Sequence, residues 1–144
     1  MKAAIEALLD FAGVASDDRV VLAIDPAARP HPKVLDAIEA AIRARGAEPR
    51  VEGVPAFEPR LHDVPASYVA AMERSDVVID LAGRESLPHA ATPRRRMSEH
   101  GLRLVACSLR DPCSDIRRLA VAACGSDSRP ARSITTSDLS IAAT

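Results

Sequence analysis

Short apolar runs and longer amphipathic stretches alternate along this chain. Three of the runs are continuous and rich in aliphatic residues, a composition typical of strands buried on both faces of a parallel sheet. A shorter fourth run between two of them is interpreted in the same way. The predicted strands cover residues 19–25, 49–54, 76–81 and 102–107.

The stretches between the runs place apolar residues at helical spacing, and a glycine often follows them as a stop. The longer predicted helices cover residues 2–12, 32–45 and 65–75, and a further one follows Pro112 and ends at Gly125. A shorter helix is predicted with Thr92 as its N-cap, Pro93 at its first position and Gly101 at its end.

This alternation predicts an α/β fold, a doubly wound and mostly parallel sheet of about four strands with helices on both faces and right-handed crossovers, which is Rossmann-like. Residues 1–125 form the predicted domain. Residues 126–144 are interpreted as a linker and a short β segment, compatible with the remnant start of a second domain. Within it, residues 133–142 alternate apolar with polar side chains and predict a small hairpin or an edge strand.

Composition narrows the range of partners. The chain has 144 residues and a net charge of -1, and although 47% of it is hydrophobic, only 2% is aromatic. Stacking platforms for single-stranded nucleic acid need exposed aromatic rings, and a near-neutral chain has no general attraction to nucleic acid or anionic membranes. We therefore expect neither nucleic acid nor a membrane as a partner.

Two further features favour a cytoplasmic protein. The N-terminal segment carries Glu6 and Asp10 within its apolar part, which is typical of a helix and not of a signal peptide. The three cysteines, Cys107, Cys113 and Cys124, contain no CxxC pair, which favours free thiols in a reducing compartment over disulfides or a zinc site.

Ionisable residues follow the predicted strands and should gather at the carboxyl edge of the sheet, where open α/β sheets bind ligands. Carboxylates and imidazoles that converge in this way suit a divalent metal or acid–base catalysis, although ordinary polar loops also occupy this edge. None of them has a close ligand spacing such as HxH or HExxH, so we expect no metal held by this chain alone. The set comprises Asp25, His31, His62, Asp63, Asp80, Glu85 and His89.

His89 is the strongest single candidate, because it lies in the polar loop "RESLPHAATP" just before a predicted helix. A helix N-terminus favours an anionic ligand or a neutral imidazole, while the alternative is a histidine that only bonds the loop backbone. The arginines at positions 94–96 could hold a carboxylate or phosphate, or could form a solvated face. The predicted site has His89 as catalytic residue and Ser86, Arg95, Arg96, Asp25 and Asp80 as substrate-binding residues.

Several motifs suggest a family. The strings "DDRVVLAIDPAARPHPKVLDAIEAAIRARGAE", "MERSDVVIDLAGRESLPHAATPRRRMSEHGLRLVACS" and, more faintly, "ARSITTSDLSI" resemble the N-terminal domain of the family of leucyl aminopeptidases and 2,5-dihydroxypyridine dioxygenases. The matching positions are Ser86, Leu87, His89, Arg95 and Gly101. The chain departs from the pattern at Ala90, where a threonine is usual, and at Pro93.

The resemblance implies a domain that closes over a metal site belonging to a second, C-terminal domain. It implies that His89 acts as an acid–base or orienting residue and that Arg95 and Arg96 steer an anionic group. The expected function is the N-terminal, substrate-side or lid domain of a metal-dependent aminopeptidase or a ring-cleaving dioxygenase-like enzyme, with a small anionic or peptide-like ligand. No cofactor is expected in this chain, since the divalent iron or zinc would come from another domain or a second catalytic subunit.

A second hypothesis is a non-catalytic α/β module that oligomerises or binds a partner or small ligand. A sheet of about four strands has open edges, and the apolar tail strand has no evident partner within the chain. We therefore expect a homodimer or larger assembly, with residues 133–142 contributing to the contact.

Overall fold

The computed structural model describes residues 1–59, 62–84 and 86–107. Its elements in chain order are α1 (Lys2–Ala12), β1 (Arg19–Ile24), α2 (Pro32–Ala44), β2 (Glu48–Gly53), α3 (Ala66–Glu73), β3 (Val77–Asp80), a short 3-10 helix (Leu87–His89), α4 (Ala91–His100) and β4 (Arg103–Ala106). The helix predicted after Pro112, the linker and the β segment at residues 133–142 lie outside the described residues. Within the described part, no helix is long and apolar enough to cross a membrane.

The four strands form one parallel sheet in the order β2-β1-β3-β4. Val20 of β1 lies opposite Pro49 on one side and Val77 on the other. The chain therefore runs outward from β1 to β2, and then crosses back over β1 to β3. This arrangement confirms the predicted Rossmann-like α/β fold.

Each strand supplies side chains to two hydrophobic layers, because successive residues of a strand point to opposite faces. Val20, Leu22 and Ile24 of β1 join the layer under α1 and α2. Val21 and Ala23 join the layer under α3 and α4. Helices thus cover both faces, which explains why β1 and β3 are continuous apolar runs and not alternating ones.

Ion pairs hold the amino-terminal edge of the sheet. Arg45, at the end of α2, contacts Glu6 at 2.6 Å and Asp10 at 2.7 Å, both on α1. Arg103 at the start of β4 reaches back to Asp18, with 2.7 Å between nitrogen and oxygen. Charged side chains therefore join neighbouring elements at this edge.

The start of α4 differs from the prediction. Ala90 occupies the N-cap position and helical structure begins at Ala91, so Thr92 and Pro93 are the second and third helical residues. Thr92 is buried, and its hydroxyl donates a hydrogen bond to Asp63 instead of accepting one from α4. The prediction of Thr92 as N-cap was wrong because a carboxylate distant in sequence takes that role.

Candidate functional site

A crevice is expected at the carboxyl edge between β1 and β3, where the order of the strands reverses. The loop after β1 leads to α2 on one face of the sheet, whereas the loop after β3 leads to α4 on the other. The two loops therefore diverge at neighbouring strands. Asp25 follows β1 directly, and Asp80 ends β3.

The loop after β1 is held in a fixed turn. The Asp25 carboxylate accepts a hydrogen bond from the Ala27 N–H at 2.9 Å, and the Asp25 carbonyl accepts one from the Ala28 N–H at 3.1 Å. His31 is the N-cap of α2, and its Nδ1 accepts from the Lys33 N–H at 3.2 Å. Asp25 is half-buried and His31 is exposed. One nitrogen of His31 is therefore committed to capping.

Asp80 is fully buried, which does not fit the expectation that it contacts a substrate. Its Oδ2 accepts hydrogen bonds from the Tyr68 hydroxyl at 2.8 Å and from Nη1 of Arg84 at 2.7 Å. Its Oδ1 accepts from the Ala82 N–H at 2.9 Å. Three donors thus compensate a buried charge at the end of β3, and the carboxylate serves the fold.

Arg84 completes this buried cluster. Its second terminal nitrogen, Nη2, donates to the Val54 carbonyl and lies 3.5 Å from the Pro55 carbonyl. The guanidinium carbon also stands 5.2 Å from the centre of the Phe57 ring, within the range of a cation–π contact. The loop after β3 is thereby joined to the chain just after β2. We call Tyr68, Asp80 and Arg84 the buried triad.

Sequence reasoning did not assign Arg84 or Tyr68 to the site. Tyr68 lies within the predicted helix 65–75, and Arg84 opens the predicted polar loop. The spacing of Asp80 and Arg84 is the sequence feature that could have indicated this pair, because an arginine four residues after a strand-ending aspartate can turn back to bind it. Burial and the charge of Asp80 together raise the pKa of Tyr68 well above its ordinary value, so its hydroxyl stays a donor.

Asp63 caps α4 from the loop before α3. Its Oδ2 accepts from the Thr92 hydroxyl at 2.6 Å, and its Oδ1 accepts from the N–H groups of Thr92 at 3.1 Å and Val64 at 2.8 Å. The hydrogen bond from the Thr92 side chain lowers the pKa of Asp63, and the positive charge of Arg95 adds to this effect. The carboxylate is thus ionised and held at the helix start.

His89 is exposed between two buried neighbours. It ends the short 3-10 helix, where Leu87 and Pro88 are buried, and Ala90 after it is buried as well. Its backbone N–H donates to the carbonyl of Ser86, which is half-buried, at 3.0 Å. The apolar anchors fix the backbone and leave the imidazole facing solvent.

The two candidate arginines of α4 differ in environment. Arg95 is exposed, whereas Arg96 is half-buried and its Nε is buried without a hydrogen-bond partner among the described residues. Arg95 lies close enough to Asp63 to affect its pKa, so part of its charge is already balanced within the chain. Glu85 of the predicted set lies outside the described residues.

The described residues do not fit a metal site. Within ranges 1–59, 62–84 and 86–107, no three histidine, cysteine or acidic side chains lie together as metal ligands would. Asp63 and Asp80 are bound to donors in the chain, and His31 caps a helix. His62 is exposed on a different loop from His89.

No family model matches the chain, and no curated protein or solved structure is significantly similar to it. The assignment of the fold therefore rests on the order of the strands and on the helices that cover both faces of the sheet. Membership of the aminopeptidase and dioxygenase family, suggested by the motif around His89, stays a prediction.

Proposed function

We propose that this chain is the substrate-side domain of a two-part enzyme, in which another domain or chain supplies the metal ligands. The enzyme would be an aminopeptidase or a ring-cleaving dioxygenase-like protein, in line with the motif around His89. The divalent iron or zinc of such an enzyme supplies Lewis-acid or redox chemistry. The part of this chain would be to bind and orient the substrate.

One observation carries the proposal: an exposed imidazole lies at the carboxyl edge between two bonded positions of the chain, Arg84 and Thr92. The buried triad ties this segment down before His89, and the Asp63 contact to Thr92 ties it down after His89. Binding groups that are fixed before the ligand arrives lose less freedom on binding. The backbone of His89 is anchored in this way on both sides, and Asp25 lies after the neighbouring strand.

Within this proposal His89 orients a substrate group or exchanges a proton with it, and exposed Arg95 attracts an anionic substituent. A small substrate with a carboxylate or a peptide-like amide suits these groups. Asp80 is left out of the proposed contacts because its carboxylate is buried and bonded to Tyr68 and Arg84. Ser86 and Asp25 remain as half-buried polar neighbours.

Titration of the labelled full chain with leucine amide, and separately with 2,5-dihydroxypyridine, tests the proposal by NMR. We expect one of the two probes to shift signals of Asp25, Ser86 and His89 in a saturable manner. Saturable shifts centred elsewhere, or no shifts with either probe at millimolar concentration, would refute a substrate-side role.

A second candidate is a module that assembles with itself or with a partner and has no catalytic role. Three ionisable side chains at the carboxyl edge already form hydrogen bonds within the chain, which favours this candidate over a catalytic role. They are Asp63, Asp80 and His31. Light scattering over a range of concentrations tests it. A dimer or larger assembly that dissociates when residues 131–144 are deleted supports this candidate, and a monomer unchanged by the deletion excludes self-assembly.

A further inference from the structure

Helix α4 has little to hold it in place by itself. Its N-cap residue, Ala90, has no side-chain oxygen to bond the free N–H groups at the helix start. Of its own ten residues only Thr92 and Pro93 are buried, and Met97 packs partly against the core. A contact from another element is therefore expected to stabilise its first turn.

Asp63 provides that contact across 29 residues of sequence. One of its oxygens accepts the Thr92 hydroxyl, and the other accepts the N–H groups of both Thr92 and Val64. A single carboxylate therefore joins the backbone just before α3 to the first turn of α4. We call this set of bonds among Asp63, Val64 and Thr92 the latch.

Arg84 makes a second connection between these parts of the chain. It lies in the loop between β3 and α4 and donates to the carbonyl of Val54, in the loop between β2 and α3. The two connections differ in exposure, since Arg84 is buried whereas Asp63 is exposed. Water can compete for the Asp63 carboxylate but has little access to the guanidinium. The latch is thus the connection that opens at the lower free energy, as expected for local opening near a protein surface.

We propose that the latch is a conformational coupling device: closed, it holds the first turn of α4 against the loop before α3, and open, it releases that turn. When it opens, the first turn of α4 loses its cap, while buried Leu87, Pro88 and Ala90 keep the backbone of His89 anchored. The inference concerns bonds within the chain, so it does not depend on the proposed substrate role.

Amide hydrogen exchange of the full chain, followed residue by residue by NMR, tests the latch. Thr92→Val removes the hydroxyl at nearly constant volume, and Asp63→Ala removes the carboxylate. In Asp63→Ala we expect the amides of residues 94–97 to exchange about fivefold faster, the effect of losing a typical cap. In Thr92→Val we expect a smaller acceleration of the same amides, because the Thr92 N–H can still bond the carboxylate. In Thr92→Val the Val64 amide, on the other loop, should also exchange faster, because its acceptor loses its anchor.

Two matched variants serve as controls. Thr92→Ser keeps the hydroxyl and should retain exchange close to that of the wild type. Asp25→Ala breaks a comparable turn on the loop after β1 and should leave α4 unaffected. Unchanged exchange in α4 for both latch variants would overturn the proposal. Equal acceleration in β1 and α4 would also overturn it, since that result indicates a loss of global stability and not a local opening.

Discussion

Arg84 donates a hydrogen bond to the carbonyl of Val54 and so spans the carboxyl end of β1, the strand that lies between β2 and β3. The same guanidinium pairs with buried Asp80 at 2.7 Å. A charged side chain thus closes one side of the edge where α/β folds bind ligands. The buried triad belongs to the framework of the site, and His89 and Asp25 stand outside it.

Arg84→Met is expected to destabilise the fold strongly. Removing one partner of a buried ion pair leaves the other charge without compensation, at a cost of about 3–5 kcal/mol in the free energy of unfolding. Urea denaturation measures this loss. The double variant Arg84→Met with Asp80→Asn should recover part of it, because the uncompensated charge is then absent.

Arg94→Met is the matched control, since Arg94 is an exposed arginine on α4. Its effect on the free energy of unfolding should stay within about 0.5 kcal/mol. Equal effects of the Arg84 and Arg94 substitutions would contradict the buried role of Arg84.

Tyr68 should resist ionisation in the folded chain. Its burial and its hydrogen bond to Asp80 raise the pKa of the phenol above the unfolded value, so the stability contributed is present below about pH 10 and is lost as the pH rises beyond it. Because the chain has one tyrosine, phenolate absorbance reports on this residue alone. We expect that absorbance to appear together with unfolding at high pH. If the phenol ionised near its ordinary pKa while the chain stayed folded, this would contradict the buried contact between Tyr68 and Asp80.

The fold could be predicted because its determinants are local. The aliphatic run of β3 identifies a strand buried on both faces, and Gly13 and Gly101 end α1 and α4 in the left-handed conformation that glycine favours. These signals lie within a few residues of the elements they define. The strand boundaries are correspondingly close to those predicted.

The contacts of the candidate site could not be predicted in the same way, because they join residues far apart in the chain. Tyr68 and Asp80 are 12 positions apart, and Arg84 and Val54 are 30 apart. The local sequence alone predicts Thr92 as an N-cap. Only the folded chain brings Asp63 close enough to reverse the role of that hydroxyl from acceptor to donor.

Acid should weaken the latch and the Arg19–Asp76 pair. Hydrogen bonds from Thr92 and Arg19 lower the pKa values of Asp63 and Asp76 below 3.8, so the ionised carboxylates are favoured in the folded state. The stability they contribute is present above about pH 3.8 and is lost as the pH falls through the lower, folded-state values. Acid titration followed by circular dichroism measures this dependence. Asp63→Asn should give a flatter curve than the wild type, and an identical curve would oppose the assignment.

Metal analysis of the purified full chain should give much less than one zinc, iron or manganese per molecule. The described residues bring no set of three ligands together, and Asp63 and Asp80 already bind donors within the chain. Elemental analysis after extensive dialysis makes the measurement. About one tightly held metal per chain would contradict the account and would direct attention to His31, His62 and His89.

The role of His89 is tested most directly by measuring stability and probe binding on the same His89→Ala protein. Since the imidazole is exposed, thermal and urea unfolding should change by no more than about 0.5 kcal/mol. Saturable binding of leucine amide or 2,5-dihydroxypyridine, whichever the wild type binds, should be lost, whereas His62→Ala should retain it. A destabilisation of about 1–3 kcal/mol with unchanged binding would instead identify His89 as a structural residue and contradict the proposed site.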